Sequence, residues 1–355
     1  MTTATTLGVI GLGSMGRGAA LSALRRGVPT WGFDLNLAAC AVIADAGGCI
    51  ASSVAELAGH CDAVQVLVVN AAQTEQVLFG EGHDEGGLAQ HLKPGSVVIT
   101  SATVDPTLPP LWESRLAERG LWLIDAPVSG GAAKAANGEM TVMASGKPEA
   151  FEVVGGLLDA VAGKVYRLGD RAGLGSTVKM VNQHLAGVHI AAACEAMALG
   201  MRAGADAAQL YEVICNSAGA SWMFANRVPH ILAGDYTPLS SVNIFVKDLG
   251  IVLDAARKLQ VPLPLAAAAH QLYLGTAGAG HGAEDDSAVI KLYAALTGIT
   301  LPGGEAVGVA GGETVGDAGG TAVGVAGEAS GAVAGTAASL TAPAPTGTGA
   351  NRATP

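Results

Sequence analysis

Aromatic and charged residues are both scarce in this chain of 355 residues. Aromatic side chains make up 4% and charged ones 14% of the sequence, and 19 basic residues against 30 acidic ones leave a net charge of −11. A chain with so few positive charges lacks the basic surface that binds nucleic acid or an anionic membrane. We therefore expect neither as a partner. Apolar residues reach 50%, which is enough for large buried cores.

Cysteines are also few, and the sequence contains no CxxC spacing. The five are Cys40, Cys49, Cys61, Cys194 and Cys215. An odd number of cysteines without metal-ligand spacing predicts buried thiols in a reducing cytoplasm, and neither a disulfide framework nor a metal site.

Long hydrophobic runs are absent as well. A membrane-spanning helix needs about 18 uninterrupted apolar residues, whereas the most apolar segment, 185–199, is broken by His189 and Glu195. The opening residues MTTATT carry no positive charge ahead of an apolar run, so we expect no secretory signal. These features indicate a cytoplasmic protein.

Short β-branched runs alternate with helical patterns in the first half of the chain. The strand-like runs are 7–10, 30–33, 63–69, 97–100 and 121–124, and the helix-like segments between them are 17–26, 37–46, 73–79 and 108–119. Such alternation predicts a parallel sheet covered by helices on both faces. Beyond Gly169, apolar residues recur at helical spacing over 175–203, 207–217, 240–259 and 265–274, which predicts an all-helical second part.

A glycine motif follows the first predicted strand. Residues 11–16 read Gly-Leu-Gly-Ser-Met-Gly, and a helical pattern comes next. In a strand–GxGxxG–helix unit, Gly11 permits the tight turn, Gly13 lets the backbone approach a pyrophosphate, and Gly16 lets the helix pack closely on the strand. The N-terminus of that helix offers free N–H groups to the phosphates. We therefore expect Gly11, Leu12, Gly13, Ser14, Met15 and Gly16 to bind a dinucleotide.

An acidic residue at the end of the second strand indicates which dinucleotide is bound. Asp34 lies 34 − 11 = 23 residues after the first motif glycine, and no basic residue follows it directly. A carboxylate there accepts hydrogen bonds from the ribose hydroxyls and repels a 2′-phosphate, which favours NAD. Val68 and Val69 end the strand-like run 63–69, Gln73 follows that run, and Thr103 follows the run 97–100, so we expect them along the same cofactor path. Cofactors of such sheets bind beyond the carboxyl ends of the strands.

We therefore predict an α/β protein with three parts. Residues 1–168 form an NAD-binding Rossmann domain with a doubly wound sheet, and 169–301 form an all-α substrate and dimerisation domain. Residues 302–355 form a flexible low-complexity tail. They contain no aromatic residue, and two nearly identical segments, AVGVAGGE and AVGVAGE, recur within them. Such a composition cannot bury enough surface to offset the entropy of ordering. A docking segment for a partner is the alternative for this tail.

Three further segments carry chemistry. They are Asp125-Ala-Pro-Val-Ser-Gly-Gly131, Gly173-Leu-Gly-Ser-Thr-Val-Lys-Met-Val-Asn-Gln183 and Lys247-Asp-Leu-Gly250. With the glycine motif they occur in the order found in the β-hydroxyacid dehydrogenase family, which the sequence resembles. That family includes 3-hydroxyisobutyrate, tartronate semialdehyde and 6-phosphogluconate dehydrogenases. The sequence departs from the family pattern at Gln183, where Asn is usual, and at 143–146, which read Met-Ala-Ser-Gly instead of Met-x-Gly-Gly.

The apolar helical part predicts self-association as a homodimer or homotetramer, since exposed apolar patches are usually covered. The resemblance implies an NAD-dependent dehydrogenase of a small sugar acid. Lys179 is then the proton-transfer group, and burial together with the positive nicotinamide ring would lower its pKa. Gln183 and Asn182 lie four and three residues further on, hence on the same helix face, and either amide could hold the substrate. Lys247 is implied to approach the cofactor or substrate, and Thr103 the nicotinamide. An ion pair of Lys247 with Asp248 or another exposed acid is the alternative for this lysine.

The loop that follows the strand 121–126 is implied to bind the substrate carboxylate. Ser129 supplies a hydroxyl, and Gly130 and Gly131 expose successive backbone N–H groups, a combination that suits an anion. A non-catalytic NAD sensor is the alternative of another class; it would keep the glycine motif and lose the lysine. A 3-hydroxyisobutyrate or tartronate semialdehyde dehydrogenase is the alternative within the family.

Overall fold

Nine strands of one mixed sheet organise the first half of the part that the structure describes. The structure is a computed structural model, and it describes residues 5–80 and 86–303. The strands are β1 Leu7–Ile10, β2 Thr30–Phe33, β3 Cys49–Ile50, β4 Ala63–Val66, β5 Val97–Thr100, β6 Trp122–Asp125, β7 Val128–Ser129, β8 Met140–Gly146 and β9 Ala162–Arg167. Their order across the sheet is β3-β2-β1-β4-β5-β6-β8-β7, with β9 paired to β8.

Strands β1 to β6 are parallel, as the alternation of strands and helices predicts. The far edge differs from the purely parallel sheet that we expected: β8 is antiparallel to both β6 and β7. The connection from β7 to β8 spans only 130–139. A parallel return needs a crossover of about a dozen residues or more, so this short connection returns the chain antiparallel.

Helices cover both faces of the sheet. They are α1 Ser14–Arg25, α2 Leu37–Asp45, α3 Val54–His60, α4 Ala71–Phe79, α5 Leu88–His91, α6 Leu108–Ala117, α7 Gly131–Asn137 and α8 Pro148–Val161. Alternate strand residues bury on opposite faces, as the twofold repeat of a strand requires. Val9 and Ile99 pack in the core under α1 and α8, whereas Ile10 and Val98 pack in the core under α3 and α6.

Beyond β9 every regular element in the described ranges is helical. These elements are α9 Leu174–Arg202, α10 Ala207–Cys215, α11 Trp222–Ala233, α12 Val242–Leu259, α13 Pro264–Thr276, a π-helical segment Ala277–His281, a 3₁₀ segment Asp286–Ala288 and α14 Val289–Thr297. They enclose a third core that includes Ile190, Met197, Phe245 and Leu249. Helix α9 contacts α11 to α14 as well as β8, so it connects the sheet with the helical region.

By length and composition alone, α9 could cross a membrane, which the sequence analysis did not expect of any segment. Its most apolar window has a mean hydropathy of 1.3, and 39% of that window is buried. The core helix of a water-soluble protein can have the same length and composition, so one such helix is weak evidence for a membrane span. The prediction of buried thiols is wrong for Cys49, which lies exposed on the two-residue strand β3.

The α/β fold with an N-terminal Rossmann sheet and a helical second part is confirmed. The predicted division at 168/169 falls between β9 and α9 and stays a prediction as a domain boundary. The predicted tail, apart from residues 302 and 303, lies outside the described residues. Helix α9 begins at Leu174, within a few residues of the expected start.

A buried ion cluster holds the helical region together. Arg227 on α11 is almost fully buried, and its Nε donates to Oδ1 of Asp286 over 2.5 Å and lies 3.9 Å from Oδ1 of Asp285. Asp285 in turn accepts hydrogen bonds from the Leu239 N–H and the Ser287 hydroxyl. Burial raises the pKa of Asp286 to about 6. One guanidinium therefore balances two buried carboxylates.

Replacement of Arg227 by alanine is expected to destabilise the fold strongly. Removal of one partner from a buried ion pair costs about 3–5 kcal/mol, because the remaining charge stays buried without compensation. Urea unfolding followed by circular dichroism measures the change. The matched control is Arg257→Ala, since Arg257 pairs with Asp254 on the surface and exposed pairs contribute little. Equal unfolding midpoints for the two variants would contradict the prediction.

Candidate active site

The glycine loop has the geometry that a bound pyrophosphate requires. Gly11 has φ +89°, and a Cβ added there would lie 2.7 Å from the Leu67 carbonyl oxygen. A Cβ on Gly16 would overlap the Gly11 carbonyl oxygen. Nothing lies within 4 Å of a Cβ on Gly13, the residue that precedes α1. The loop is therefore tight where it packs and open where a ligand would approach the backbone, so these residues fit a dinucleotide.

Asp34 lies at the end of β2 and faces this loop. Its Oδ2 accepts the Leu12 N–H over 2.6 Å, and its Oδ1 accepts the Asn36 N–H over 2.7 Å. The carboxylate thus fixes the loop after β1 to the loop after β2. Beside it opens a cavity of about 460 Å³ lined by Leu12, Gly13, Ser14, Arg17, Asn36, Ala38, Ala39 and Val42. Sequence reasoning missed Arg17 and Asn36 here.

The loop after β4 contains the predicted Val68, Val69 and Gln73. Val69 is 54% exposed. The Gln73 side chain is engaged within the loop, where its Oε1 accepts the Val69 N–H over 2.9 Å. The backbone N–H of Gln73 donates to Asn70 Oδ1. Gln73 therefore shapes the start of α4, and the exposed surface of Val69 remains available to a ligand.

Lys179 lies in the second turn of α9 and is almost completely buried, with 7% of its surface exposed. Among the described residues, its Nζ makes no hydrogen bond or ion pair. Burial lowers the pKa of Lys179 to about 8, and the nearby positive charge of Lys247 acts in the same direction, while the negative charge of Asp248 opposes both. A lysine with this pKa exchanges a proton readily near neutral pH.

Asp248 is the centre of a hydrogen-bonded network beside Lys179. Its Oδ2 accepts Nε2 of Gln183 over 2.5 Å, and its Oδ1 accepts Nζ of Lys247 over 2.5 Å. Lys247 Nζ also lies 3.3 Å from the Thr103 carbonyl oxygen. Asn182 Nδ2 donates to Gln183 Oε1 over 3.0 Å. The structure thus brings α9, α12 and the loop after β5 together around one buried carboxylate.

Asp248 is a residue that sequence reasoning missed as part of the site. In the Lys247-Asp-Leu-Gly250 motif, only the lysine is predicted to take part in the site, and Asp248 enters as its alternative ion-pair partner; the ion pair is present in the structure. An acidic residue in an apolar helix beside a lysine is a sequence signal for a buried polar site, because a buried carboxylate needs buried partners. In the structure Asp248 is 1% exposed. Its partner Gln183 is 65 residues away in the chain, a separation that no local pattern reveals.

The predicted carboxylate loop lies between β7 and α7. Ser129 is half-buried at the end of β7, Gly130 has φ +134° and Gly131 has φ +71°. The Lys134 side chain lies against Gly130, because an added Cβ would lie 2.9 Å from its Cβ and Cδ. The Lys134 ammonium lies 5.9 Å from the ring centre of Trp222 on α11. The loop therefore presents glycine backbone beside a positive charge.

Two protein-family models match successive parts of the chain. Residues 6–169 match the NAD-binding domain of 6-phosphogluconate dehydrogenase, and residues 173–293 match the NAD-binding domain of NADP-dependent 3-hydroxyisobutyrate dehydrogenase. Among curated proteins, L-threonate dehydrogenase of Cupriavidus necator is 59% identical over 297 residues, which cover 84% of this chain and 98% of the relative. L-threonate dehydrogenase of Escherichia coli K12 is 56% identical over 301 residues, which cover 84% of this chain and 97% of the relative.

Solved structures show the same likeness. The crystal structure of 3-hydroxyisobutyrate dehydrogenase from Salmonella typhimurium is 54% identical, with a TM-score of 0.76, and covers 81% of this chain and 99% of its own. The structure of Mycobacterium tuberculosis 3-hydroxyisobutyrate dehydrogenase with L-serine is 26% identical, with a TM-score of 0.71. The match covers 81% of this chain and 98% of that structure's chain.

Lys179 is expected to titrate near pH 8 in the free protein. The ¹³Cε NMR shift of lysine-labelled protein measures this, and the Lys179→Arg variant assigns the resonance. Asp248→Asn should lower the pKa further, because it removes the negative charge that favours the ammonium. The exposed Asp254 offers the control variant Asp254→Asn, which should leave the resonance unchanged. A wild-type titration near the ordinary value of 10.5 would contradict the burial of the amine.

Proposed function

The chain belongs to the family of NAD-binding dehydrogenases that includes 3-hydroxyisobutyrate and 6-phosphogluconate dehydrogenases, and on that premise we propose that it oxidises L-threonate at C2 to 2-oxo-tetronate (2-dehydro-L-erythronate). The observation that carries the chemistry is the buried Lys179 beside two amides. The substrate follows from the curated relatives named L-threonate dehydrogenase, at up to 59% identity. The segments 140–146, 185–193, 235–238 and 284–291 also resemble that branch of the family.

NAD is the cofactor, and the residues present fit it. The loop Gly11 to Gly16 would hold the pyrophosphate against the start of α1, and Asp34 would accept the ribose hydroxyls. Val68, Val69 and Gln73 would line the adenosine path, while Thr103 and Lys247 would approach the nicotinamide side. When bound, NAD accepts the hydride that leaves C2.

Lys179 acts as the proton-transfer group. As a neutral amine it accepts the proton of the C2 hydroxyl while the hydride leaves the same carbon, and in the reverse direction its ammonium returns the proton. A pKa lowered to about 8 keeps an appreciable fraction of the amine neutral near physiological pH. The interior position of Lys179 excludes water, which would otherwise compete for the proton.

Asn182 and Gln183 hold the substrate as a linked pair. Both ends of the Gln183 amide are already engaged, with Asp248 and with Asn182. Gln183 therefore positions Asn182. The second N–H of its Nε2 and the second lone pair of its Oε1 stay available to a substrate hydroxyl. Ser129 and the N–H groups of Gly130 and Gly131 bind the substrate carboxylate, since such backbone donors suit an anion.

A 3-hydroxyisobutyrate dehydrogenase is the second candidate. The observation that favours it is the Salmonella structure of that name at 54% identity. Tartronate semialdehyde is a further substrate that the same machinery could handle. A non-catalytic NAD sensor would have no need for a buried lysine, so the position of Lys179 disfavours that alternative.

The enzyme would act in the cytoplasm as a homodimer or homotetramer. Cys40, Cys61 and Cys194 are buried free thiols, which suit a reducing compartment. Helix α9 exposes Val178, Val181 and Leu185 on one side, each between 41% and 52% exposed. A contiguous apolar face of this kind is typical of a subunit contact. The net charge of −11 supports the absence of a nucleic-acid partner.

L-threonate is expected to be the preferred substrate in a panel of hydroxy acids. Steady-state NADH formation with L-threonate, D-threonate, 3-hydroxyisobutyrate and glycerate gives kcat/KM for each. A site that hydrogen-bonds additional hydroxyls should discriminate against 3-hydroxyisobutyrate by about 100-fold or more, because its polar groups would be left unpaired. A higher kcat/KM for 3-hydroxyisobutyrate than for L-threonate would replace this substrate with the second candidate.

Lys179→Ala should reduce kcat by about 100-fold to 10,000-fold, which is the range that general acid–base catalysis contributes. The Kd of NAD, measured by calorimetry, should change little, because Lys179 does not line the glycine loop. Lys93 is exposed, and Lys93→Ala serves as the control with wild-type turnover. Retained turnover in Lys179→Ala, with mass spectrometry confirming the substitution, would reject lysine as the proton-transfer group.

A further inference from the structure

We propose that Asp125 is a positioning residue: it fixes the start of α9 against the sheet and so sets the place of Lys179 relative to the carboxylate-binding loop. The proposal rests on the proposed function for the role of Lys179. Asp125 received no role from the sequence beyond its place in a motif. Its carboxylate accepts hydrogen bonds from the start of α9, the helix that bears Lys179.

The Asp125 carboxylate is almost fully buried and accepts hydrogen bonds from the first turn of α9. Its Oδ2 accepts the N–H groups of Gly173 and Ser176 over 2.9 and 2.8 Å, and its Oδ1 accepts the Ser176 hydroxyl over 2.7 Å. The Ser145 hydroxyl lies 3.4 Å from Oδ2. Burial raises the pKa of Asp125, and these donors act against that effect.

Helix α9 has no capping side chain of its own, because its N-cap residue is Gly173. The first N–H groups of a helix need acceptors from elsewhere. Two sheet residues provide them: Asp125 accepts from Ser176, and Ser145 Oγ accepts the Gly175 N–H over 2.9 Å. A carboxylate at this end also interacts favourably with the helix dipole. The cap of α9 is therefore supplied by β6 and β8.

The first turn of α9 touches the sheet backbone directly. A Cβ added to Gly175 would overlap the Met143 carbonyl oxygen and lie 2.6 Å from the Asp125 carbonyl oxygen. Such a contact leaves the helix no room to move towards the sheet, while the carboxylate keeps it from moving away. The position of the first turn is thus fixed in both directions.

This first turn shares a helix face with Lys179. Residues four apart on a helix lie on one face, so Gly175, Lys179 and Gln183 form one buried stripe. Asp125 also lies four residues before Ser129 in the segment that forms the carboxylate loop. One residue therefore joins the helix that bears the amine to the loop that would bind the carboxylate. Asp125 is absent from the charged groups that shift the pKa of Lys179, so its action is positional.

Three substitutions test this role. Asp125→Ala removes every acceptor, whereas Asp125→Asn keeps one oxygen for both backbone N–H groups and lets the Ser176 hydroxyl accept from the new amide. Gly175→Ala displaces the helix while the carboxylate stays in place. Gly156→Ala in α8 is the matched control, because an added Cβ there meets nothing within 4 Å. The full-length chain is used throughout.

Asp125→Ala and Gly175→Ala should each lower kcat for L-threonate by about 100-fold, the effect of a misplaced catalytic group, with an unchanged Kd for NAD. Asp125→Asn should stay within tenfold of wild type, and Gly156→Ala should equal it. In Asp125→Ala and Gly175→Ala, the pKa of Lys179, measured by ¹³Cε NMR, should rise towards 10.5. The acid limb of the profile of kcat/KM against pH should shift to higher pH with it. A purely structural role would lower the yield of folded protein and move neither readout.

Wild-type kcat and an unchanged Lys179 titration in both Asp125→Ala and Gly175→Ala would overturn the proposal. Should Asp125→Ala not fold, Asp125→Glu takes its place, because it keeps a carboxylate for the first turn of α9 and displaces that turn by one methylene group, with the same expected loss of kcat and the same expected rise of the Lys179 pKa. The NMR readout needs no substrate. Failure of the wild type to oxidise L-threonate would therefore reject the proposed function, while the titration would still decide the role of Asp125.

Discussion

The whole site depends on the burial of one amine. Lys179 is withdrawn from water, and the carboxylate that attracts its ammonium, Asp248, also binds Lys247 and Gln183. The Lys247 ammonium, 2.5 Å from Asp248, partly neutralises that carboxylate and so weakens its attraction for Lys179. Desolvation therefore outweighs attraction, and the pKa of Lys179 falls to about 8. A full ion pair with Lys179 would have kept the amine protonated and unsuitable as a base.

The fold supplies this environment by bringing three elements to one place. Helix α9 starts against β6 and β8, with its first N–H groups bound by side chains of the sheet. Helix α12 brings Lys247 and Asp248 to the same place, and Lys247 reaches the Thr103 carbonyl after β5. The predicted nicotinamide side, the amine and the amides therefore meet where the sheet ends and the helical region begins. Glycines at 11, 16 and 175 allow the backbone contacts that this convergence requires.

Local features of the fold could be predicted from the sequence, and long-range contacts could not. Strands β1, β2 and β5 have the bounds that their β-branched runs predict, and the glycine loop follows from its motif. The two-residue strands β3 and β7 carry no periodic signal, because short strands depend on their neighbours. The seven-residue antiparallel strand β8 is not among the predicted strands. The hydrogen bonds of Asp125 and Asp248 join residues 51 and 65 positions apart, so their roles emerge only from tertiary structure.

The position of the substrate relative to the Lys179 amine is the most direct test of the account. A crystal structure of the complex with NAD and L-threonate measures the distance from Lys179 Nζ to the C2 oxygen. We expect these two atoms at hydrogen-bond distance, about 2.6–3.2 Å, with the substrate carboxylate at Ser129 and Gly130. An amine that points away from a substrate bound next to the nicotinamide would contradict it.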